Sequence, residues 1–220
     1  MTRACERHDT IKKYKLIMKK GMVMAWIILL LGGVIGIFWK SEWVYALPTP
    51  VPANYHPVVT GTKISWPSGS AALLPADHKP LLLHFFNPDC PCSRFNVPHF
   101  RELVKQYGQK VSFAVVLMTD KNYSPGDIRH RFDLPENIPV VRDSLIAIAC
   151  GVYSTPQAVV VDTSGQLFYR GNYNRNRYCT DEKTSYARQA LESLLHNDLH
   201  PTFDPMALKA YGCKLPTCTQ

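Results

Sequence analysis

The sequence predicts an α/β sandwich with a mixed central sheet, preceded by one N-terminal transmembrane helix. Strand-like and helix-like segments alternate between residues 58 and 198, this alternation ends in a hairpin and a closing helix, and an uncharged apolar run occupies residues 21–39. With 220 residues and 46% hydrophobic content, the chain can form one domain with a packed core plus appendages. Disorder throughout the chain is therefore excluded.

The first forty residues have the pattern of a membrane-targeting segment. Residues 1–20 form a basic tail that carries seven Lys and Arg against Glu6 and Asp9, and this tail supplies +5 of the net charge of +8. As a helix, the apolar residues 21–39 would span roughly 28 Å, close to the hydrocarbon thickness of a bilayer. The positive-inside rule then places the N-terminus in the cytoplasm and exports the rest of the chain. Because the basic charge is a topology signal, no nucleic-acid partner is expected.

Two interpretations of the apolar run remain open. It is either an uncleaved membrane anchor or a signal segment that is cleaved after Ala46, since Val44-Tyr45-Ala46 fits the small-residue pattern of a signal-peptidase site. The apolar run is longer than the usual signal-peptide core, and Lys40 interrupts the approach to the site, which favours the anchor. Residues 40–57 follow as a Pro-rich linker, for which an extended conformation is predicted.

Residues 58–198 form the predicted domain, and residues 199–220 form a Cys-containing tail. The predicted strands cover residues 79–86, 110–118 and 138–141, and a hairpin over residues 157–171 turns at residues 162–165. The predicted helices cover residues 93–108, 125–132, 143–150 and 181–197. The first of these helices places Phe95, Phe100, Leu103, Val104 and Tyr107 on its apolar side.

Cys90-Pro91-Cys92 lies where the first predicted strand meets the first predicted domain helix. A helix N-terminus stabilises a thiolate, the reactive form of cysteine, although Asp89 opposes this effect and Arg94 supports it. A disulfide across one intervening proline closes a loop so short that it adds little stability. We therefore predict that this segment is a redox site and not a structural staple, with Cys90 as the attacking thiol and Cys92 or Cys179 as the resolving thiol.

The stretches "HFFNPDCPCSRFNVPHF" and "STPQAVVVDTSGQLFYRGNY", the later "YC" and the terminal "YGC" carry a family resemblance. Residues 58–198 resemble the thioredoxin fold. More closely, the chain resembles an uncharacterised bacterial family of membrane-anchored thioredoxin-like proteins related to the redoxins. The resemblance implies a redox-active centre in a thioredoxin-like domain, and a cis-proline at Pro156 that faces the cysteine pair. By position, His84 corresponds to a buried acidic residue that moves protons in thioredoxins; the alternative is a core histidine with a backbone hydrogen bond.

Six cysteines follow the apolar run, and an even number in an exported chain permits full pairing in 15 ways. Cys179 lies after the hairpin, in a loop that borders the active site in thioredoxin folds, and is the leading candidate to resolve a disulfide with Cys90 or Cys92. Cys150 is interpreted as a buried structural thiol. A local Cys213–Cys218 staple is expected in the tail.

The predicted function is thiol-disulfide oxidoreductase chemistry on a protein or small-molecule thiol or disulfide substrate, without a cofactor or a bound metal. The N-terminal helix makes the membrane a second partner, and the sequence does not specify an oligomeric state. One alternative is a soft-metal carrier, since thiolates close in sequence suit Cu(I). His99 does not fit such a site, because seven helical residues place it about 10 Å from Cys92 along the axis. Another alternative is a thiol peroxidase with Cys90 as the attacking thiolate, although the threonine that usually precedes such a cysteine is absent.

Overall fold

The computed structural model describes residues 2–43, 47–73, 75, 77–175, 181–198 and 201–215. The chain divides into two compact units, Met1–Ala46 and Leu47–Gln220.

The first unit is one long helix. Helix α1 covers Thr2–Phe38, and a short π-helical segment, Trp39–Trp43, follows it. Residues Lys15–Ser41 form 27 helical residues with a mean hydropathy of 2.4, long and apolar enough to cross a membrane. A signal sequence near an N-terminus has the same properties. The predicted cleavage site at residues 44–46 lies outside the described residues.

The second unit is built on a five-stranded mixed sheet in the order β3-β2-β1-β5-β6. The five strands are β1 (Leu81–Phe86), β2 (Ser112–Leu117), β3 (Val140–Val141), β5 (Gln157–Val161) and β6 (Leu167–Gly171). Strands β1, β2 and β3 run parallel, and the hairpin β5–β6 joins β1 antiparallel. A separate two-stranded sheet pairs β4 (Ser154–Thr155) with β7 (Cys213–Lys214).

The helices of the second unit are α2 (Pro91–Tyr107), α3 (Pro125–Phe132), α4 (Ser144–Cys150), α5 (Tyr186–Leu195) and α6 (Pro205–Leu208). Short 3-10 turns cover Ser70–Leu73 and Glu182–Thr184. Every predicted strand and helix of the domain is present, with ends shifted by a few residues except at the closing helix. That helix starts at Tyr186, several residues after the predicted start at residue 181.

The sheet is covered on both faces, which explains why β1 is a continuous apolar run apart from His84. On one face, Leu82 and Phe86 pack with Phe100 of α2 and Leu191 of α5. On the other face, alternate β1 residues pack with Ile146 and Ala147 of α4. The prediction for the apolar side of α2 fails at one position, because Phe95 is 44% exposed and Val97 is buried in its place.

The tail folds onto the domain. Asn172 follows β6, and its side-chain amide donates hydrogen bonds to the carbonyl oxygens of Met206 (2.8 Å) and Lys209 (2.6 Å). The Thr49 amide donates to the Ala210 carbonyl at 2.9 Å, so part of the Pro-rich linker also pairs with the tail. These contacts fix the path of the chain into β7.

Candidate functional site

The Cys90-Pro91-Cys92 segment begins helix α2. Cys90 is the N-cap residue with extended backbone angles (φ −83°, ψ 123°), and Pro91 occupies the first helical turn. Proline suits this position because its missing N–H would have no partner there and its φ is already helical. The predicted strand-to-helix junction at Cys90 is therefore confirmed.

Local hydrogen bonds hold the junction rigidly. The Cys90 amide donates to the Asn87 carbonyl at 3.1 Å, and the Asp89 amide donates to the Asn87 side chain at 2.9 Å. The Asn87 amide in turn donates to the hydroxyl of Ser93, which is fully buried in the first turn of α2, at 3.2 Å. The end of β1 and the start of α2 are thus tied together around Cys90.

Cys90 forms a disulfide with Cys213, a cysteine 123 residues further along the chain, with a Cα–Cα distance of 6.4 Å. The expected local staple between Cys213 and Cys218 is therefore wrong for this state of the protein, because Cys213 is already bonded. Sequence proximity favoured that staple, whereas the fold brings the tail to the helix start. Cys218 lies outside the described residues.

Strand β7 positions Cys213. Thr155 pairs with Cys213 and Ser154 with Lys214 in an antiparallel ladder. The peptide bond between Thr155 and Pro156 is cis, as predicted. Gly212 lies so close to this segment that a Cβ there would stand 2.2 Å from the Thr155 carbonyl oxygen, and its φ of +133° also favours glycine. The tail can reach Cys90 along this path because residue 212 has no side chain.

The third sulfur at the site belongs to Cys92. The sulfur atoms of Cys90, Cys92 and Cys213 all lie within 4.8 Å of one another. Cys90 and Cys92 are 3% and 1% exposed, whereas Cys213 is partly exposed. Three sulfurs at this spacing can exchange a disulfide among themselves with small movements, since exchange proceeds by attack of one sulfur on another.

Asp89, next to Cys90 in the sequence, forms a hydrogen bond and an ion pair with its neighbours. The Tyr123 hydroxyl donates to Asp89 Oδ1 at 2.9 Å, and Lys121 Nζ lies 3.2 Å from the same oxygen. Partial burial raises the pKa of Asp89, but the Tyr123 hydrogen bond and the Lys121 charge outweigh it, so the pKa is lowered overall. Asp89 is ionised at neutral pH, and Lys121 offsets the repulsion that its charge exerts on a thiolate at Cys90.

His84 lies in the core on the face of the sheet that α2 covers. Its ring stacks on Phe100 with centroids 4.5 Å apart, and Nδ1 is 2.7 Å from the Tyr173 hydroxyl. Burial, with a smaller contribution from His99, lowers the pKa of His84 to about 3. The histidine is therefore neutral at pH 7, far from the pKa that suits a general base there. His84 is a core histidine, as one of the two sequence-based alternatives expected, but its partner is a tyrosine hydroxyl and not a backbone group. Its predicted role in proton transfer stays a prediction.

The remaining predicted residues are placed as follows. Cys150 is fully buried against the second face of the sheet, as predicted, and burial raises the pKa of its thiol to about 12. His99 is 2.9 Å from the Ser185 hydroxyl and does not belong to the sulfur cluster. Cys179 lies outside the described residues, so its predicted role stays a prediction.

Sequence reasoning missed Cys213 as the partner of Cys90, and it missed the contacts that bring the tail to the site. The signal available was the dipeptide Gly212-Cys213, in which a glycine precedes a cysteine. The glycine matters because the backbone at residue 212 lies against the Thr155 carbonyl, and only the folded chain shows this contact.

Together, the mixed sheet, a cysteine at the N-terminus of the helix after the central strand, and a cis-proline directly before the neighbouring strand β5 define a thioredoxin-like protein. The chain belongs to the family described as "Domain of unknown function (DUF6436)", which matches residues 66–217. No functionally curated protein matches the chain significantly.

Two solved structures share the fold, and a third is a more distant match. An uncharacterized conserved protein from Geobacillus kaustophilus has a TM-score of 0.60 at 19% identity, covering 79% of this chain and 100% of its own. A hypothetical protein from Sinorhizobium meliloti 1021 has a TM-score of 0.55 at 18% identity, covering 73% and 96%. A thiol:disulfide interchange protein of the thioredoxin family from Chlorobium tepidum TLS has a TM-score of 0.44 at 17% identity, covering 67% and 99%.

Proposed function

We propose that this chain is a thiol-disulfide oxidoreductase that an N-terminal helix anchors in the bacterial inner membrane, with its thioredoxin-like domain in the periplasm. One observation supports the activity above the others. The N-cap cysteine of a 17-residue helix is disulfide-bonded, and a third thiol sulfur lies within 4.8 Å of both bonded sulfurs.

The position of Cys90 suits a reactive sulfur for an electrostatic reason. The first N–H groups of a helix have no intrahelical acceptor, and the aligned peptide dipoles place a positive partial charge there. A thiolate at Cys90 is stabilised by this charge, both as a nucleophile and as a leaving group. Cys150, in contrast, is buried in the core, and burial raises the pKa of its thiol to about 12.

In the oxidising direction, the reaction consumes the Cys90–Cys213 disulfide. A substrate thiolate attacks Cys90, the bond between Cys90 and Cys213 breaks, and Cys213 leaves as a thiolate that takes up a proton. The second substrate thiol then attacks the mixed disulfide and expels Cys90. The substrate loses two electrons and two protons, and the domain gains two thiols. In the reducing direction, Cys90 attacks a substrate disulfide and Cys213 resolves the intermediate.

Access to Cys90 requires movement of the tail. Cys90 is 3% exposed, and strand β7, which carries its partner Cys213, forms two residue pairs with β4. Short paired segments open transiently at low free-energy cost and then close again in the same place. Cys92 is near enough to attack a mixed disulfide at Cys90, so it is a second resolving thiol in this proposal, with Cys179 as the sequence-based alternative.

The cytoplasmic location of the N-terminus is supported by the basic residues before the apolar helix. Residues 1–20 carry +5, whereas Lys40 and Glu42 cancel on the other side of the apolar run. A reporter enzyme that is active only in the periplasm, fused after residue 60, should be active. Activity of a cytoplasm-specific reporter at the same position would contradict the proposed topology.

The activity is tested by trapping the first intermediate. The reduced full-length chain is mixed with a model peptide disulfide, quenched with acid and analysed by mass spectrometry. The double variant Cys92→Ser/Cys213→Ser should accumulate a mixed disulfide at Cys90, because both nearby resolving thiols are missing. Cys90→Ser should form a mixed disulfide with the peptide, at any of its remaining cysteines, at least about 100-fold more slowly, since the nucleophile is missing.

These two variants are matched controls for each other. Both lack the native disulfide, so any difference between them reports the role of Cys90 and not the loss of the cross-link. Circular dichroism should show that both are folded at the assay temperature. Equal rates of mixed-disulfide formation in the two variants would exclude Cys90 as the attacking thiol.

A further inference from the structure

We propose that the reduced domain binds one Cu(I) ion through the three thiolates of Cys90, Cys92 and Cys213, and that the Cys90–Cys213 disulfide closes this site when the protein is oxidised. The proposal goes beyond thiol-disulfide exchange, because the product is a metal complex and not a new disulfide. The soft-metal alternative in the sequence analysis used two cysteines close in sequence, Cys90 and Cys92. The structure adds a third ligand, Cys213 of the tail.

The ligand geometry is the first support. The three sulfurs lie within 4.8 Å of one another, so an ion placed among them can be reached by each sulfur after small shifts. One sulfur comes from the N-cap residue of α2, one from its first turn and the third from strand β7. Among the described residues, the cluster contains no histidine or carboxylate, so all its ligands are soft.

The site should persist after the disulfide is reduced. Several contacts besides the disulfide hold the tail in place: β7 pairs with β4, Thr49 Oγ1 donates to the Gly212 carbonyl at 3.2 Å, and Asn172 binds the carbonyl of Lys209. These contacts keep Cys213 opposite the helix start when the sulfurs are no longer bonded. A largely preformed site loses less conformational entropy when it binds its ligand.

The chemistry of the ligands selects the ion. Thiolates are soft donors that prefer Cu(I), Zn²⁺ and iron-sulfur clusters. Structural Zn²⁺ takes four ligands in a tetrahedral arrangement, whereas Cu(I) accepts three thiolates in a trigonal one. The three-sulfur set therefore favours Cu(I). The helix N-terminus further stabilises the excess negative charge of a complex between three thiolates and a monovalent cation.

Reduction and binding are separate, balanced steps. A phosphine reductant cleaves the disulfide, takes an oxygen atom from water to become a phosphine oxide, and leaves thiols at Cys90 and Cys213. Cu(I) then displaces the protons of the three thiols without any change in its own oxidation state. In the oxidised protein, two of the three ligands are bonded to each other and cannot bind the ion.

The test measures binding of Cu(I) alone to the full-length chain in detergent, under anaerobic conditions, in competition with a chromophoric Cu(I) chelator. The reduced protein should bind one equivalent tightly, and the oxidised protein should not compete with the chelator. X-ray absorption at the copper edge should show a single shell of three sulfur atoms. A copper site with nitrogen or oxygen ligands, or tighter binding of Zn²⁺ than of Cu(I), would overturn the proposal.

Variants assign the ligands. Cys213→Ser and Cys92→Ser should each weaken binding by at least about 100-fold, since loss of an outer partner alone costs up to about 100-fold. Cys150→Ala removes a thiol outside the cluster and should bind as the wild type does. Unchanged affinity in Cys213→Ser would exclude the tail from the site.

A chain that keeps only the three cluster cysteines, with serine replacing Cys5, Cys150, Cys179 and Cys218, should retain full affinity. Formation of the Cys90–Cys213 disulfide on oxidation shows that this chain is folded. If it forms the disulfide and still fails to bind Cu(I), the proposal is wrong. Metal-free exchange assays on the same samples separate the two proposals, because copper binding and disulfide exchange can then be lost independently.

Discussion

The Cys90–Cys213 disulfide should stabilise the domain strongly, and Cys213→Ser measures by how much. The cross-link joins residues 123 positions apart. In the chain-entropy treatment, a loop of that length restricts the unfolded state by about 5 kcal/mol at 25 °C, and measured disulfides usually give about 2–5 kcal/mol. The free energy of unfolding of the oxidised Cys213→Ser chain should therefore fall by about 2–5 kcal/mol relative to the oxidised wild type.

The measurement is guanidinium denaturation of the full-length chain in detergent, followed by near-ultraviolet circular dichroism. Reduced wild type and reduced Cys213→Ser should unfold at the same denaturant concentration, because neither has the cross-link. A difference below about 1 kcal/mol between the oxidised proteins would refute the reasoning. Closure of a loop this long in the unfolded chain should change the free energy of unfolding by more than that.

The long-range Cys90–Cys213 disulfide changes how a stability measurement on Cys90 variants is interpreted. The sequence argument that Cys90 has little effect on stability holds only for a bond between Cys90 and Cys92. With Cys213 as the partner, Cys90→Ser also removes a long-range cross-link and should destabilise the oxidised domain. Stability therefore cannot separate a redox site from a staple here, and the mixed-disulfide experiment is needed.

The buried histidine and the close approach of the tail give two further predictions. Lowering the pH below 6.5 should reduce the free energy of unfolding by about 1.4 kcal/mol per pH unit through His84, because the unfolded chain binds a proton there while the folded chain, with a pKa of about 3, does not. Denaturation between pH 7 and 5 should show a smaller slope for His84→Phe than for the wild type, and equal slopes would contradict the assignment. Gly212→Val should lower the equilibrium constant for forming the Cys90–Cys213 disulfide in a glutathione buffer by at least about tenfold, since a Cβ would clash with the Thr155 carbonyl. Gly165→Val, also at positive φ but in open space, is the matched control, and an equal effect at both positions would show that close approach is not the cause.

Much of the fold could be predicted because its signals are local. The continuous apolar run of β1, the periodicity of α2 and the hairpin turn after β5 each lie within a short window of sequence. Phe95 was assigned to the wrong side of α2, because periodicity alone does not fix which neighbouring positions the sheet covers. The start of α5 was predicted too early, since the 3-10 turn at Glu182–Thr184 has helix-like composition.

The sequence by itself determined the position of Cys90 at a strand-to-helix junction, the apolar N-terminal helix and, through family resemblance, the cis bond before Pro156. Each depends on adjacent residues or on a recurrent motif. Only the tertiary structure decided that Cys213 is the partner of Cys90, because the choice among 15 pairings depends on which distant segments meet. It also decided the protonation of His84, since the pKa depends on burial against Phe100 and Tyr173, which the local sequence does not encode.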